Sequence, residues 1–150
     1  HFGFDMKVIY FNRSEKSVDM PARQVDSLHS LMSQADVVVV TVPGGGSNTH
    51  LVDAEALAQM DDGAVFVNVA RGDVVDEDAL VAELQSGRIS AGLDVYAKEP
   101  TVPEALKVLE NVVLLPHLGT ATLEVREQMG QMALDNIIAW DEDRPLPQGL

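Results

Sequence analysis

The sequence predicts an α/β fold in which helices cover a parallel β-sheet. Short runs rich in β-branched residues alternate with stretches where Ala, Leu and Val recur at helical spacing, an alternation typical of parallel sheets. With 150 residues, of which 46% are hydrophobic and 23% charged, the chain is long enough for one sizeable core. We therefore expect a globular fold with one core.

Apolar runs predict the strands of this sheet. Each run is short, rich in Val, Ile, Phe, Ala or Leu, and ends at glycine, proline or a polar residue, as expected of a strand that is buried on both faces. In chain order the runs are 7–11, 35–42, 64–70, 89–95 and 111–115.

Two stretches between the strands predict crossover helices. Residues 52–60 and 76–87 carry Ala, Leu and Val at helical spacing. The second stretch also has acidic residues in its first turn, which suit the helix dipole, and Gly87 as a C-terminal stop.

A third, longer amphipathic stretch predicts a helix over 120–140, near the end of the chain. Thr120 or Thr122 could cap its first turn. We expect its Met and Leu side chains to lie in the core, and residues 143–150 to form an extended tail.

The charge balance excludes several classes of partner. There are 24 Asp and Glu against 10 Lys and Arg, a formal net charge of −14, so nucleic acid and anionic membrane surfaces would be repelled. The absence of cysteine removes disulfides, thiolate nucleophiles and Cys-based zinc sites, and it suits a reducing compartment. We see no signal peptide and no apolar run of membrane-spanning length, and we expect a cytoplasmic protein.

Polar side chains follow the predicted strands where they end. Arg71 follows the strand at 64–70, Asp94 and Glu99 lie in "LDVYAKEP" after the next strand, and His117 follows the last in "PHLGT". Ligands of open parallel sheets collect at the carboxyl ends of the strands, because the loops converge there. We therefore expect these four side chains to share one rim.

The same residues carry a family resemblance. The segment "VNVARGDVVDEDALVAELQSGRISAGLDVYAKEP", followed by "NVVLLPHLGTAT", resembles the nucleotide-binding domain of the D-isomer-specific 2-hydroxyacid dehydrogenases, and most closely the glyoxylate/hydroxypyruvate reductase branch. This resemblance implies a Rossmann-like, doubly wound parallel sheet. It also implies an oxidoreductase, homodimeric in its complete form, that transfers hydride from NAD(P)H to a small 2-oxo acid and gives the D-2-hydroxy acid.

The resemblance also implies roles for the rim residues. Arg71 would hold the substrate carboxylate and carbonyl, His117 would donate and accept the proton, Glu99 would orient His117, and Asp94 would bind the nicotinamide carboxamide. The residue types suit this chemistry, because histidine titrates near neutral pH and a neighbouring carboxylate favours the protonated ring. Arginine stays charged and can pair with a carboxylate through two parallel hydrogen bonds.

The end of the first strand predicts the choice of dinucleotide. An acidic residue there accepts the ribose hydroxyls of NAD, whereas Arg beside a small hydroxyl residue accommodates the 2′-phosphate of NADP. The chain has Asn12, Arg13 and Ser14 at this place, so we expect NADPH to be favoured over NADH. The remaining cofactor contacts implied by the resemblance are Val42, Pro43, Ala70, His117, Gly119 and Thr120.

The family's nucleotide domain begins with a strand and a Gly-x-Gly-x-x-Gly turn that we do not find in this sequence. We therefore expect residues 1–150 to be the C-terminal part of a dinucleotide-binding domain, including its last helix and tail, with the substrate domain outside the chain. In the strand order 3-2-1-4-5-6 the absent strand is the central one. We expect it to leave a gap between the strands at 7–11 and 64–70.

Two other functions remain open. Corepressor relatives of the family sense dinucleotides on the same scaffold and can retain the Arg, Glu and His set. Phosphoglycerate dehydrogenase is a further possibility within the enzyme class. We predict no metal site, since His50 near Asp53 and the pair at 61–62 make a poor ligand set, and we expect His29 and His50 to lie on the surface.

Overall fold

The computed structural model describes residues 3–149, which fall into two compact units. The first unit runs to Pro116 and contains every strand given below and the helices α1 to α4; the second begins at His117 and contains α5. No helix in the described part of the chain is long and apolar enough to cross a membrane.

The strands form two parallel sheets within the first unit. β1 pairs with β2, and the larger sheet has the order β3-β4-β5-β6. The strands are β1 (Val8–Tyr10), β2 (Ala22–Gln24), β3 (Val37–Val40), β4 (Val65–Asn68), β5 (Ser90–Leu93) and β6 (Val112–Leu114). The runs predicted from the sequence are confirmed as strands, whereas β2 was missed because it is three residues long and has an exposed arginine at its centre.

The register of the larger sheet aligns its strand ends. Asn68, the last residue of β4, lies opposite Val40 of β3 and Leu93 of β5, and Leu93 lies opposite Leu114 of β6. The segments that follow β3, β4, β5 and β6 therefore leave the sheet at one edge. This alignment brings Thr41, Val69, Asp94 and Leu115 to the same end of the sheet.

The helices begin at polar capping residues, except α4, whose cap is Pro103. Ser27, Asp53, Asp76 and Thr122 each accept a hydrogen bond from a backbone N–H in the first turn of the helix that follows. The helices are α1 (Leu28–Met32), α2 (Ala54–Leu57), α3 (Glu77–Gln85), α4 (Glu104–Lys107) and α5 (Leu123–Asp141). All three predicted helices are present, α2 being shorter than expected, while the short α1 and α4 were missed.

The core of the first unit is formed by side chains from the larger sheet and from α1 to α4. Phe66 of β4 is fully buried among helix residues such as Leu57 of α2 and Leu84 of α3. Arg88 connects these helices, because its guanidinium donates to the carbonyls of Leu57 at the end of α2 and of Met60 after it, and pairs with Glu83 of α3.

The predicted position of the gap in the sheet is wrong. β3 pairs with β4, so the gap does not lie between the runs at 7–11 and 64–70. The structure instead has a groove between β1 and β3. Its volume is about 640 Å³, and β1 and β3 line its two sides. The error came from overlooking β2: once β2 is the neighbour of β1, the run at 35–42 belongs to the other side of the groove.

The expectation that the Met and Leu side chains of the last helix are core residues is also wrong. Met129, Met132 and Leu134 of α5 are exposed, as are Ile137 and Trp140, and Ala139 is the helix's buried residue. Their periodicity is that of a helix with an apolar face, and most of this face is open to solvent in the structure.

Candidate functional site

Asn68 shapes the turn that carries Arg71. The Asn68 side chain is buried, with 2% exposed. Its amide Nδ2 donates to the backbone carbonyl of Arg71 at 3.0 Å, and its Oδ1 accepts from the backbone N–H of Ala70 at 3.0 Å. Both ends of one buried amide therefore hold the main chain on either side of the peptide bond between Ala70 and Arg71.

Arg71 presents an exposed guanidinium at this edge of the sheet. Its Nη1 donates to the carbonyl of Ala70 at 2.6 Å. Within residues 3–149 no ion pair joins it to a carboxylate. The nearby Asp73, an obvious partner in the sequence, instead accepts a hydrogen bond from the Gly45 backbone N–H at 2.7 Å. Arg71 is thus placed to receive an anion.

A pocket of about 400 Å³ adjoins Arg71. Its floor includes the loop after β3, where Gly44 lies so close to Arg71 that a Cβ at this position would be 2.9 Å from both Cβ and Cγ of the arginine. The aliphatic stem of Arg71 therefore packs on bare glycine backbone. Three of the predicted cofactor contacts, Val42, Pro43 and Ala70, line this pocket. The other lining residues are Thr41, Gly44, Val69 and Arg71.

The loop after β5 lies against the turn of Arg71. Gly72 is buried, and a Cβ on it would overlap the backbone of Tyr96 and Ala97, so the two main chains are in contact. Asp94 is 5% exposed, and Glu99 is exposed and accepts from the Tyr96 backbone N–H at 3.1 Å. The structure therefore brings the loop that carries Asp94 and Glu99 to the turn that carries Arg71.

Tyr96, which follows β5, forms a hydrogen bond to the residue after β6. Its buried hydroxyl donates to the Leu115 carbonyl at 2.8 Å and lies 3.2 Å from the Leu93 carbonyl. Burial, followed by the negative charge of Asp94, raises the pKa of Tyr96 above its ordinary value. The phenol is therefore held in its neutral form and donates to the carbonyl of Leu115, which lies two residues before His117 in the sequence.

His117 begins the second unit with an unusual backbone. Its φ is 55°, in the left-handed region that non-glycine residues seldom adopt. Such strain is concentrated at functional positions, where the surroundings impose it. Gly119 and Thr120 follow in the same exposed segment, and Thr122 caps α5 as one of the two predicted alternatives. The pairing of His117 with Glu99 stays a prediction.

The segment after β1, residues 12–14, forms a small cluster of hydrogen-bonded polar groups. Asn12 donates through Nδ2 to the carbonyl of Ser14 at 2.8 Å and to its hydroxyl oxygen at 3.3 Å, and the Asn12 carbonyl accepts from Gln24 at 2.9 Å. Ser14 Oγ keeps its own hydrogen to donate. Arg13 is exposed and has no ion-pair partner among the residues that the structure describes. These contacts suit an anion such as a phosphate.

Two further histidines, His29 and His50, belong to no metal-ligand cluster among the described residues. His29 and His50 are exposed, which confirms the surface position expected for them. In the described range 3–149, no group of three or more His, Asp or Glu side chains could hold a metal ion.

Sequence reasoning missed the residues that support Arg71. The signal for Asn68 is a polar residue in the otherwise apolar run "AVFVNVA", a pattern that by itself predicts only a strand. Gly44 and Asp73 gave no comparable signal, because their contact joins segments 29 residues apart and depends on how the loops fold.

Comparison with known families places the chain among dehydrogenases. Residues 2–119 match the model of the D-isomer specific 2-hydroxyacid dehydrogenase, NAD binding domain. The chain is 44% identical over 143 residues to a glyoxylate/hydroxypyruvate reductase B of Cronobacter sakazakii, and 45% identical over 144 residues to one of Pectobacterium atrosepticum. These matches cover 92% and 93% of the chain but 44% and 45% of the relatives. The chain thus spans less than half the length of the curated relatives it matches.

Solved structures agree with this placement. An NADPH-dependent glyoxylate/hydroxypyruvate reductase of Sinorhizobium meliloti, in complex with NADP and malonate, superposes with a TM-score of 0.88 at 38% identity, over 93% of this chain and 44% of that one. The apo D-mandelate dehydrogenase of Rhodotorula graminis gives 0.89 at 35% identity, over 97% and 44%. The Rossmann-like α/β fold predicted from the sequence is confirmed.

Proposed function

Since the chain belongs to the D-isomer-specific 2-hydroxyacid dehydrogenase family, we propose that it is part of a reductase of glyoxylate or hydroxypyruvate. The enzyme would transfer hydride from NAD(P)H to the 2-oxo acid and release the D-2-hydroxy acid. The observation that carries this proposal is the exposed, unpaired Arg71 beside a pocket, on a turn in contact with the loop of Asp94 and Glu99.

Arg71 binds the substrate in this mechanism. A 2-oxo acid presents a carboxylate next to a carbonyl, and the planar guanidinium can donate to both oxygens. No carboxylate of the described residues competes for it. The positive charge also stabilises the negative charge that develops on the carbonyl oxygen as hydride adds to the carbon.

His117 supplies the proton in this mechanism. The carbonyl oxygen must be protonated as hydride reaches the carbonyl carbon, and imidazolium is suited to that transfer near neutral pH. Glu99 is proposed to orient the ring. The left-handed backbone of His117 supports a functional role, since it indicates a position imposed at some cost in local strain.

The matched family model describes an NAD-binding domain. The reduced nicotinamide of the bound NAD(P)H would supply the hydride. Asp94 would bind the carboxamide of that ring, while Val42, Pro43, Ala70, Gly119 and Thr120 would contact the dinucleotide. Arg13 and Ser14 would bind the adenosine 2′-phosphate of NADP, as their exposed side chains after β1 support. Asn12, a further predicted cofactor contact, donates to Ser14 in the structure.

We further propose that residues 1–150 are the C-terminal part of the dinucleotide-binding domain, with the substrate domain outside the chain. The coverage of the relatives and the groove between β1 and β3 support this division. The homodimer and the cytoplasmic location expected from the sequence stay predictions, as does the absence of nucleic-acid and membrane partners.

The test is an assay of the complete protein that contains this chain. We expect NADPH oxidation with glyoxylate or hydroxypyruvate, and loss of most of that activity in Arg71→Ala, mainly through a higher KM for the oxo acid. Arg88→Ala, which removes a structural arginine, is the control. Dinucleotide binding without turnover would support the corepressor-like alternative, and turnover of 3-phosphohydroxypyruvate alone would support phosphoglycerate dehydrogenase.

The choice of cofactor has its own test. We expect a higher kcat/KM with NADPH than with NADH, because no acidic residue among 12–14 repels the 2′-phosphate. Arg13→Ala should narrow that ratio by lowering kcat/KM for NADPH alone, as measured by steady-state kinetics with each cofactor. A ratio unchanged by Arg13→Ala would show that this arginine does not contact the phosphate.

A further inference from the structure

Asn68 is a buried amide at the end of an otherwise apolar strand. The residues opposite it, Val40 and Leu93, are aliphatic and buried. A polar side chain in such surroundings is costly unless its donors and acceptors are satisfied. Asn68 meets that requirement through the turn that follows, by accepting from Ala70 N–H and donating to Arg71 C=O.

These two hydrogen bonds act on the main chain of Arg71 itself. The carbonyl of Ala70, which belongs to the same turn, accepts from the Arg71 guanidinium at 2.6 Å. The Asn68 amide therefore fixes the backbone on both sides of the peptide group whose oxygen receives the arginine head. A small rotation of that peptide would redirect the guanidinium.

We propose that Asn68 is a positioning residue that sets the direction in which Arg71 presents its guanidinium to the substrate. This inference rests on the proposed function, because it assumes that Arg71 binds the 2-oxo acid. It concerns alignment rather than contact: Asn68 acts through Arg71 and touches no substrate atom.

Asn68→Asp separates positioning from simple structural support. The aspartate keeps the acceptor for Ala70 N–H but replaces the donor to Arg71 C=O by a second oxygen. When protonated, that oxygen can donate again; when ionised, it repels the carbonyl. The variant's KM for the oxo acid, divided by that of the unaltered protein, should therefore rise with pH, about ten-fold between the protonated and ionised forms, which corresponds to about 1.4 kcal/mol.

The ratio removes titrations that both proteins share. The ionisable residues on the segments next to Asn68 include Arg71 and Asp73 on its own turn, and Asp94, Tyr96 and Glu99 on the segment after β5. All of them are present in the variant and in the unaltered protein, as is His117. The pH dependence of the KM ratio therefore reports mainly on the new carboxyl.

Asn111→Asp is the matched control. The Asn111 side chain is half-buried and, like that of Asn68, donates to backbone carbonyls, here those of Leu84 and Ile89, but it precedes β6 at the opposite end of the sheet. The Asn111→Asp variant should have a lower melting temperature, as Asn68→Asp does, but its KM ratio should not depend on pH. Asn68→Ser covers the case in which the aspartate variant does not fold, since it should raise KM without new pH dependence.

The outcomes are distinct. A KM ratio that rises with pH in Asn68→Asp, or a raised KM with unchanged NADPH affinity in Asn68→Ser, supports the proposal. Variants that melt earlier but keep the KM of the unaltered protein overturn it and leave the proposed function intact. An unaltered protein that reduces no 2-oxo acid overturns both.

Discussion

Arg71 has no carboxylate partner among residues 3–149, although the chain has a net charge of −14. Arg88 shows the usual arrangement, with Glu83 at 2.8 Å and Asp62 at 3.6 Å. The difference arises because Asp73, two residues from Arg71, is engaged by the Gly45 backbone N–H. The loop after β3 thus binds the Asp73 carboxylate, which forms no ion pair with the arginine that we assign to the substrate.

Gly44→Ala tests the packing of that loop against Arg71. A Cβ at this position would lie 2.6 Å from Oδ1 of Asp73 and 2.9 Å from the Arg71 stem, so the loop or the arginine must move. Because a displacement of about 1 Å can cost up to 100-fold in catalysis, we expect kcat/KM for the oxo acid to fall roughly ten-fold or more. Gly130→Ala on α5, which meets nothing within 4 Å, is the control. Equal kinetics for the two variants would contradict this account of the loop.

The sequence predicts each of the motif residues individually, but it does not predict the hydrogen bonds that position them. Arg71, Asp94, Glu99 and His117 stand in ordered motifs that a single sequence reveals. The hydrogen bonds of Asn68 depend on the exact turn after β4, which composition and periodicity do not encode.

At the scale of elements, the end of β6 is held by Tyr96. Its neutral hydroxyl bonds to the Leu115 carbonyl, and burial and Asp94 raise its pKa. A group whose pKa is higher in the folded state contributes stability that is complete below the unfolded pKa, about 10 for tyrosine. This contribution is then lost as pH rises through the folded pKa.

Tyr96→Phe should therefore be less stable than the unaltered protein at pH 7, by about 1 to 2 kcal/mol, and the difference should shrink above pH 10. The measurement is the free energy of unfolding of both complete proteins in denaturant between pH 7 and pH 11. A stability difference that stays constant over this range would show that the Tyr96 phenol does not lose its contribution on ionisation.

Strands with strong β-branched character were predictable, and their neighbours were not. β3 is four consecutive valines, a pattern that predicts a strand. Its pairing with β4 does not follow from the sequence, because β2, three residues with Arg23 at the centre, has no apolar run to reveal it. Strand order depends on contacts between distant segments, so one overlooked strand displaced the predicted gap.

At the scale of the molecule, two apolar surfaces lack cover in the structure. One is the groove of about 640 Å³ between β1 and β3, beside which Val37 and Val39 are exposed. The other is the apolar face of α5, where Trp140 is 72% exposed. Exposed apolar patches of this kind are uncommon in monomeric proteins that are stable alone.

Residues 1–150 expressed alone should therefore be aggregated, partly unfolded or associated with a second chain, and should bind NADPH poorly. Two edges one absent strand apart lie roughly 9–10 Å from each other, too far for backbone hydrogen bonds. Thermal unfolding and calorimetric titration of the purified chain test this. A cooperative monomeric transition with micromolar NADPH binding would show that the chain is stable without further protein packed on either apolar surface.

The central claim is that this chain carries the proton donor of a 2-oxo acid reductase. Its most direct test is His117→Gln in the complete protein, with kcat for hydroxypyruvate reduction and the Kd for NADPH measured on the same preparation. We predict that kcat falls at least 100-fold, in the range that general acid catalysis contributes, while the Kd changes less than about three-fold. A variant that turns over at near the original rate would contradict the claim.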